Sequence, residues 1–313
     1  MWAFATAPTG IYAPVSTPAQ SIFGLSVFFL ATLLAIFVVV FSLLAYAVVR
    51  FRERAESDST EPPQIYGSSQ VELAWTIIPT LIVVALFLAS AHVIASVVDA
   101  KPPSGSTEVV VVGHQYWWEY RYPGLHVVTA NELHVPVGPT FLTLLSADTD
   151  HSFWVPRLAG KTDLIPNHPN RMWIDPHEVG LFLGQCAQYC GTQHAKMLLR
   201  VYVQSKVDFD SWIRSQQAPA SESELRGEVV FQSTACVSCH TISGTAAKGK
   251  FGPDLTHLMS RDTLASGAVE NTPENLRRWI QNPDSIKPGS KMPAMQLSNA
   301  DITALTSYLE TLH

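Results

Sequence analysis

Charge is scarce in this chain, and two long stretches have none. Lys, Arg, Asp and Glu make up 15% of the 313 residues, low for a wholly water-soluble protein. None occurs in residues 1–49 or 73–98, so the deficit is local. Cysteine is scarce too. The four present form two close pairs, Cys186/Cys190 and Cys236/Cys239, which excludes a disulfide-stapled scaffold and leaves no thiol over once each pair has a task. No basic residue precedes the first apolar run, which argues against a secretory signal peptide.

The charge-free runs 22–49 and 74–98 exceed the ~20 residues a helix needs to cross the hydrocarbon core, so each is expected to span a membrane. Pro79 interrupts the second near its start. Arg50, Arg52 and Arg54 follow the first run directly, which puts the connecting loop in the cytoplasm and both ends of the chain outside. From Glu108 the pattern changes to short β-rich runs at 109–112, 127–128, 133–137 and 142 onward. Turn residues separate them, as a β-sandwich requires. The aromatic segment Tyr116-Trp117-Trp118-Glu119-Tyr120-Arg121-Tyr122 lies inside this region, and alternation is expected to bury about half of it. A short helix at 207–216 closes the region, and 218–223 is a linker by composition.

The chemistry concentrates in Cys186-Ala187-Gln188-Tyr189-Cys190-Gly191-Thr192-Gln193-His194-Ala195-Lys196-Met197. Thiolate and thioether sulfur are soft donors and imidazole is intermediate, a set that favours copper over magnesium, calcium or manganese. Zinc would take the thiolates and the histidine but leaves Met197 idle. Spacings of four, four and three also suit one face of a helix, and a Cys186–Cys190 disulfide is a further alternative. Gly180, Gly184 and Gly191 punctuate the run, and 199–203 alternates like a strand, which favours a loop between two strands. His151, after the strand-like 140–145, is the best candidate for a further ligand.

The second cysteine pair sits in Cys236-Val237-Ser238-Cys239-His240, the c-type haem attachment signature. Two thiols bond the haem vinyl carbons and His240 becomes the proximal iron ligand. Ser221 with Glu224 reads as a capping box opening a helix towards it. Thr272 with Pro273 starts another helix, which Pro283 stops, and Ser298 begins a last one with Ile302, Leu305, Leu309 and Leu312 on one stripe.

His151 with Cys186, Cys190, His194 and Met197 resembles the binuclear copper centre, CuA, of subunit II of haem-copper cytochrome c oxidases. The resemblance implies two copper ions bridged by both thiolates, His151 and Met197 completing one, His194 and the backbone carbonyl of Gln188 the other. The family commonly has Glu at the Gln188 position, where it helps hold a magnesium ion against subunit I; that role does not carry over to Gln188. The resemblance also implies a cupredoxin-like sandwich, with electrons entering at Tyr116 or Trp117, where Tyr116 stands in place of the usual Trp. Glu72, in a Glu-x-x-Trp-Thr context, corresponds to a glutamate near the mouth of a proton path into subunit I. Residues 161–163 and 171–173 match docking or ligand-supporting segments. Downstream of the haem signature, Phe251-Gly252-Pro253-Asp254-Leu255 and Lys291-Met292-Pro293 are similar to small class I cytochromes c, with Met292 as the distal ligand and Met295 also within reach.

These resemblances imply a multidomain membrane protein. An extracytoplasmic lead-in (1–21) precedes a transmembrane hairpin (22–98, cytoplasmic loop about 50–71) and a CuA domain (99–217). The linker (218–223) then leads to an all-α cytochrome c domain (224–313). The expected function is to pass electrons from a donor through one covalent haem c and CuA to haem a of subunit I, where oxygen reduction is coupled to proton pumping. Expected partners are subunits I and III, membrane lipid, and a donor that is a cytochrome c, another small redox protein or an upstream respiratory complex; no nucleic acid is expected. The setting is a bacterial cytoplasmic membrane with both redox domains on the periplasmic side. A membrane-anchored copper-handling assembly protein shares a Cys-x-x-x-Cys pair with a distant histidine, but lacks His194 and Met197 in phase and a haem domain. Quinol-oxidase subunit II lacks the copper ligands. The six-residue linker reaches at most ~20 Å, and so short a tether implies an effective concentration on the order of millimolar, at which docking of the two domains can be weak.

Overall fold

The computed structural model describes residues 10–52, 64, 66–98, 105–220 and 226–313. Arg54, the capping pair Ser221 and Glu224, and part of the linker lie outside the described residues. The hairpin unit comprises Ser21–Asp99 and contains most of α1 (Thr17–Arg50) and all of α2 (Ser69–Val98). Both helices are long and apolar enough to cross a membrane, and large apolar side chains stand exposed all around them, as lipid-facing helices require. The second helix runs on through Pro79. Glu72 lies in its first turn, its amide bonded to Ser68 O at 2.9 Å.

The second unit contains two packed five-stranded sheets. One orders β3-β2-β1-β5-β8 and is built from β1 (Thr107–His114), β2 (Trp117–Tyr122), β3 (Val127–Ala130), β5 (Thr140–Ser146) and β8 (Asn170–Ile174). The other orders β4-β10-β9-β6-β7, from β4 (Glu132–Pro136), β6 (His151–Trp154), β7 (Thr162–Leu164), β9 (Gly180–Cys186) and β10 (Leu198–Gln204). Period-two alternation sends one face of each strand inward. Trp118, Tyr120 and Tyr122 of β2 are fully buried with Val111, Leu133, Leu144 and Phe153, while Trp117, Glu119 and Arg121 take the other face. Helix α3 (Lys206–Gln216) closes the sandwich, with Ser205 capping it by accepting from Asp208 N.

The C-terminal part is helical: α4 (Arg226–Ser233), the one-turn α5 (Cys236–Cys239), a small ribbon of β11 (Thr263–Leu264) and β12 (Val269–Glu270), α6 (Pro273–Gln281) and α7 (Asn299–Leu309). The expected caps are present. Thr272 accepts from Asn275 N with Pro273 in the first turn, and Ser298 accepts from Asp301 N. Helices α4 and α7 cross so closely at Gly227 that a Cβ there would meet Ala304 O at 2.0 Å. Phe231, Leu305, Tyr308 and Leu309 pack around this crossing.

Two predictions follow from this packing. Gly227→Ala must push α4 off α7, an overpacking cost of about 1–3 kcal/mol. Amide hydrogen exchange in both helices should speed up accordingly; unchanged exchange would mean the crossing is soft. On β2, Glu119 is held by His114 at 2.9 Å and by Arg121. Burial would raise its carboxyl, but these partners outweigh it and lower it to about 2. A depressed carboxylate stabilises the fold above its unfolded pKa, and that stability is lost as pH falls from about 4.5 towards 2. Glu119→Gln should therefore lower the urea midpoint at pH 7, and its difference from wild type should shrink below about pH 4.5 and vanish only below about pH 2.

Candidate metal centre and adjoining cavity

The ligand run forms the loop between β9 and β10, with a short 3-10 turn at His194–Lys196. Its ends are tied together, since Cys186 N donates to Met197 O at 3.0 Å. Cys186 ends β9 and Phe153 pairs with it across the sheet, which brings His151, two residues earlier on β6, beside the loop. Cys186 Sγ lies 3.9 Å from His151 Nδ1 and 3.2 Å from Gln188 O. Cys190 Sγ lies 3.7 Å from His194 Nδ1 and 3.9 Å from Met197 Sδ. The two sulfurs are 3.9 Å apart and both thiols are free, too far for a disulfide. All six predicted donors therefore converge on one buried spot, and the extended loop excludes the reading of a packed helix face.

The surroundings suit a soft metal. His151 Nε2 is 2.8 Å from Asp148 Oδ1, which fixes the tautomer that leaves Nδ1 to face the sulfurs. Burial alone would lower the His151 imidazole, but the Asp148 carboxylate and the Cys186 sulfur win and raise it. The Asp148 carboxyl is lowered to about 2 by His151 and by the amides of Gln115 and Thr149, against its partial burial. Hydrogen bonding from Cys190 makes Cys186 the thiolate of the pair, and Cys190 is raised in turn. A donor set of two thiol sulfurs, two imidazoles, a thioether and a carbonyl fits copper.

The tryptophan-rich segment touches this loop directly. Tyr116 Oη accepts from Thr192 N at 3.1 Å, and the Gln115 amide donates to Cys190 O. Gly191, at φ 127°, has no room for a side chain: its Cβ would lie 2.6 Å from Tyr116 Oη. Trp117 turns away to stack on His114 at 4.1 Å. Trp118, on the buried face of β2, sets its ring edge-on to His151 at 6.0 Å.

On its other side Tyr116 lines a cavity of about 1260 Å³, open mouth included. Cys236, Cys239, His240, Met292 and Met295 line it as well, and the walls are mostly apolar. His240 Nδ1 is 2.7 Å from Pro253 O, which leaves Nε2 for a metal. Burial pushes this imidazole down, against the Pro253 carbonyl, which favours the neutral form that can ligate. Gly252 packs on the ring so closely that a Cβ would lie 2.5 Å from His240 Cε1. Thiols, imidazole and thioether around an apolar space fit a covalently held haem. Both methionines line the space, so the cavity does not choose between them. Glu72 belongs to the hairpin unit.

Sequence reasoning missed Asp148 and Gln115. Asp148, three residues before His151, is the one that a search for carboxylate partners of ligand histidines would find. Gln115 reaches Cys190 over a long chain separation and leaves no local pattern.

Three family profiles match the chain. "Cytochrome C oxidase subunit II, transmembrane domain" covers residues 7–93, "Cytochrome C oxidase subunit II, periplasmic domain" covers 126–205, and "Cytochrome c" covers 225–313. Cytochrome c oxidase subunit 2 of Alkalihalophilus pseudofirmus is 32% identical over 309 residues, 96% of this chain and 89% of that one. The Bacillus subtilis protein of the same name is 32% identical over 290 residues, 85% and 81% of the two chains. The periplasmic domain of subunit II of cytochrome oxidase from Bradyrhizobium japonicum aligns at 28% identity and TM-score 0.36, over 37% of this chain and 96% of that one. With relatives matched over nearly its whole length and a cytochrome c segment at its C-terminal end, the chain belongs to the cytochrome c oxidase subunit II family, in a form fused to a cytochrome c domain.

Proposed function

We propose that this chain receives electrons for a bacterial terminal oxidase at one covalent haem c and delivers them through a binuclear CuA centre to haem a of subunit I. Membership of the family makes it a membrane-bound part of an oxidoreductase complex with an electron-transfer role, partnered with subunit I. When bound, haem iron and the copper pair supply one-electron redox couples. Cys236 and Cys239 would hold the haem covalently, with His240 and Met292 as axial ligands. His151 and Met197 would complete one copper, His194 and the Gln188 carbonyl the other, with Cys186 and Cys190 shared.

One observation carries this reading. Each cysteine sulfur sits beside one donor from each predicted copper set, Cys186 beside His151 and the Gln188 carbonyl, Cys190 beside His194 and Met197. Two thiolates that bridge a pair of metals must have this neighbourhood, and a single four-coordinate zinc site has no use for it. The chain's own groups then do three things. Asp148 and the Pro253 carbonyl hold the imidazole protons away from the metal-facing nitrogens. Burial of His151, Cys186, Cys190 and Met197 keeps water out. Tyr116, in contact with both the ligand loop and the cavity, is the side chain through which the two sites couple, with Trp117 beside it.

In this reading the sandwich domain is 99–217, the linker 218–223 and the cytochrome domain 224–313, both redox domains facing the periplasm of a cytoplasmic membrane. Subunit III and a small redox protein or upstream complex complete the partners, and Glu72 lies at the mouth of a proton path.

Electron paramagnetic resonance tests the copper assignment. The oxidised chain should show the hyperfine pattern of one unpaired electron shared by two copper nuclei. Cys190→Ser should abolish that pattern, whereas Gln188→Ala should keep it, because only the backbone carbonyl is used; copper loss in Gln188→Ala would sink the ligand set. For the haem, Met292→His should lower the potential and replace the sulfur-to-iron absorption band. If Met295→Ala removes that band instead, the axial ligand is Met295.

A further inference from the structure

The short tether implies that the two redox domains need little built interface. The structure shows more than that, and its centre is a pair of buried charges. Lys287, from the haem side, is 3% exposed. Its Nζ donates to Tyr116 O and Lys196 O at 2.8 Å, both in the copper domain, and to Ala265 O of its own domain at 3.0 Å. Glu132, from β4 on the copper side, is 2% exposed. Its carboxylate accepts from Asp262 N at 3.0 Å, Thr263 N at 2.9 Å and Thr263 Oγ1 at 2.7 Å, all in the haem domain. Each domain thus inserts one charge among the backbone groups of the other.

Among the described residues no carboxylate lies within ion-pair range of Lys287, whereas Glu132 is also paired with Arg200 of its own domain at 3.8 Å. Three carbonyls and no donor surround Nζ, so the ammonium alone has a proton for each. Burial lowers that ammonium to about 7, with Cys190 opposing and Lys196 adding to the effect. Buried charges satisfied by fixed backbone dipoles add little net affinity, because both hydrate when the domains part. They penalise every wrong register, in which a charge is buried without its acceptors or donors. The position of the acceptors matters. Tyr116 forms the cavity wall, and Lys196 immediately precedes the thioether ligand Met197.

We propose that Lys287 and Glu132 are a two-point lock, positioning residues that hold the haem domain on the copper domain in the register where Tyr116 joins the cavity to the ligand loop. The lock rests on the functional reading above for its purpose, and on geometry alone for its existence. Smaller contacts follow the same seam. Lys196 Nζ donates to Ile286 O at 3.1 Å, and Leu198 N to Ser266 O at 3.3 Å.

The test uses the full chain in detergent, loaded with haem and copper, and reads each half of the lock from the other. In Lys287→Met, which keeps the apolar stem, the Asp262 and Thr263 amides held by Glu132 are followed by hydrogen exchange. In Glu132→Gln, whose amide must turn an N–H towards an N–H, the Leu198 amide is followed. Losing hydrogen bonds to a charged group should speed exchange at these remote amides about tenfold or more. Haem-to-copper transfer after flash reduction should slow in both variants, with haem and copper spectra unchanged. Unchanged exchange at the remote amides overturns the lock, as does loss of the haem or copper spectrum in both variants, which would make the two residues folding determinants of their own domains. If the wild-type chain shows no paired-copper signal, the functional reading fails, while the exchange data still decide the lock.

Discussion

The ligand loop is closed by one backbone hydrogen bond, from Cys186 N to Met197 O, and the sandwich around it is arranged on that closure. It lets two thiols, an imidazole and a thioether from one short run meet without a disulfide. The strands on either side, β9 and β10, are the most firmly paired of their sheet, with six residue pairs in register from Leu198↔Gln185 to Val203↔Gly180. A loop anchored at both ends on one sheet has little freedom to lose when metals bind. That is how preorganisation keeps the cost of assembling a site low.

Everything that touches the loop is constrained by it. Gly191 has no side chain because Tyr116 occupies the space, and Gly113 has none because a Cβ would lie 2.9 Å from His151 Cδ2. Asp148 holds the far nitrogen of His151, and Gln115 holds the carbonyl of Cys190. The sheet containing β1 and β2 therefore acts as a template for a site on the opposite sheet. Trp118 belongs to both roles, as a core side chain and as the ring packed edge-on to His151.

The cavity follows the same logic with different means. A one-turn helix presents two thiols, its C-cap is the imidazole, and the carbonyl of Pro253 fixes which nitrogen is available. Small helical domains have little core of their own, and here the apolar space left between α5, α6 and the Met292 segment is what a flat apolar cofactor would fill. The two sites share one wall at Tyr116.

By itself the sequence determined the membrane hairpin, the sandwich, the helix caps at Thr272 and Ser298, and every candidate ligand. Each of these is written in local terms: charge-free length, period-two alternation, a side-chain oxygen three residues before an amide, or thiols at fixed spacing. What only the tertiary structure decided are the contacts between residues far apart in the chain. Gln115 reaches Cys190 across 75 residues, Glu132 reaches Thr263 across 131, and Lys287 reaches Tyr116 across 171. A buried lysine between an isoleucine and a proline has the same composition as an exposed one. Its burial and its three carbonyl acceptors exist only once two domains meet, because backbone dipoles leave no mark on residue type.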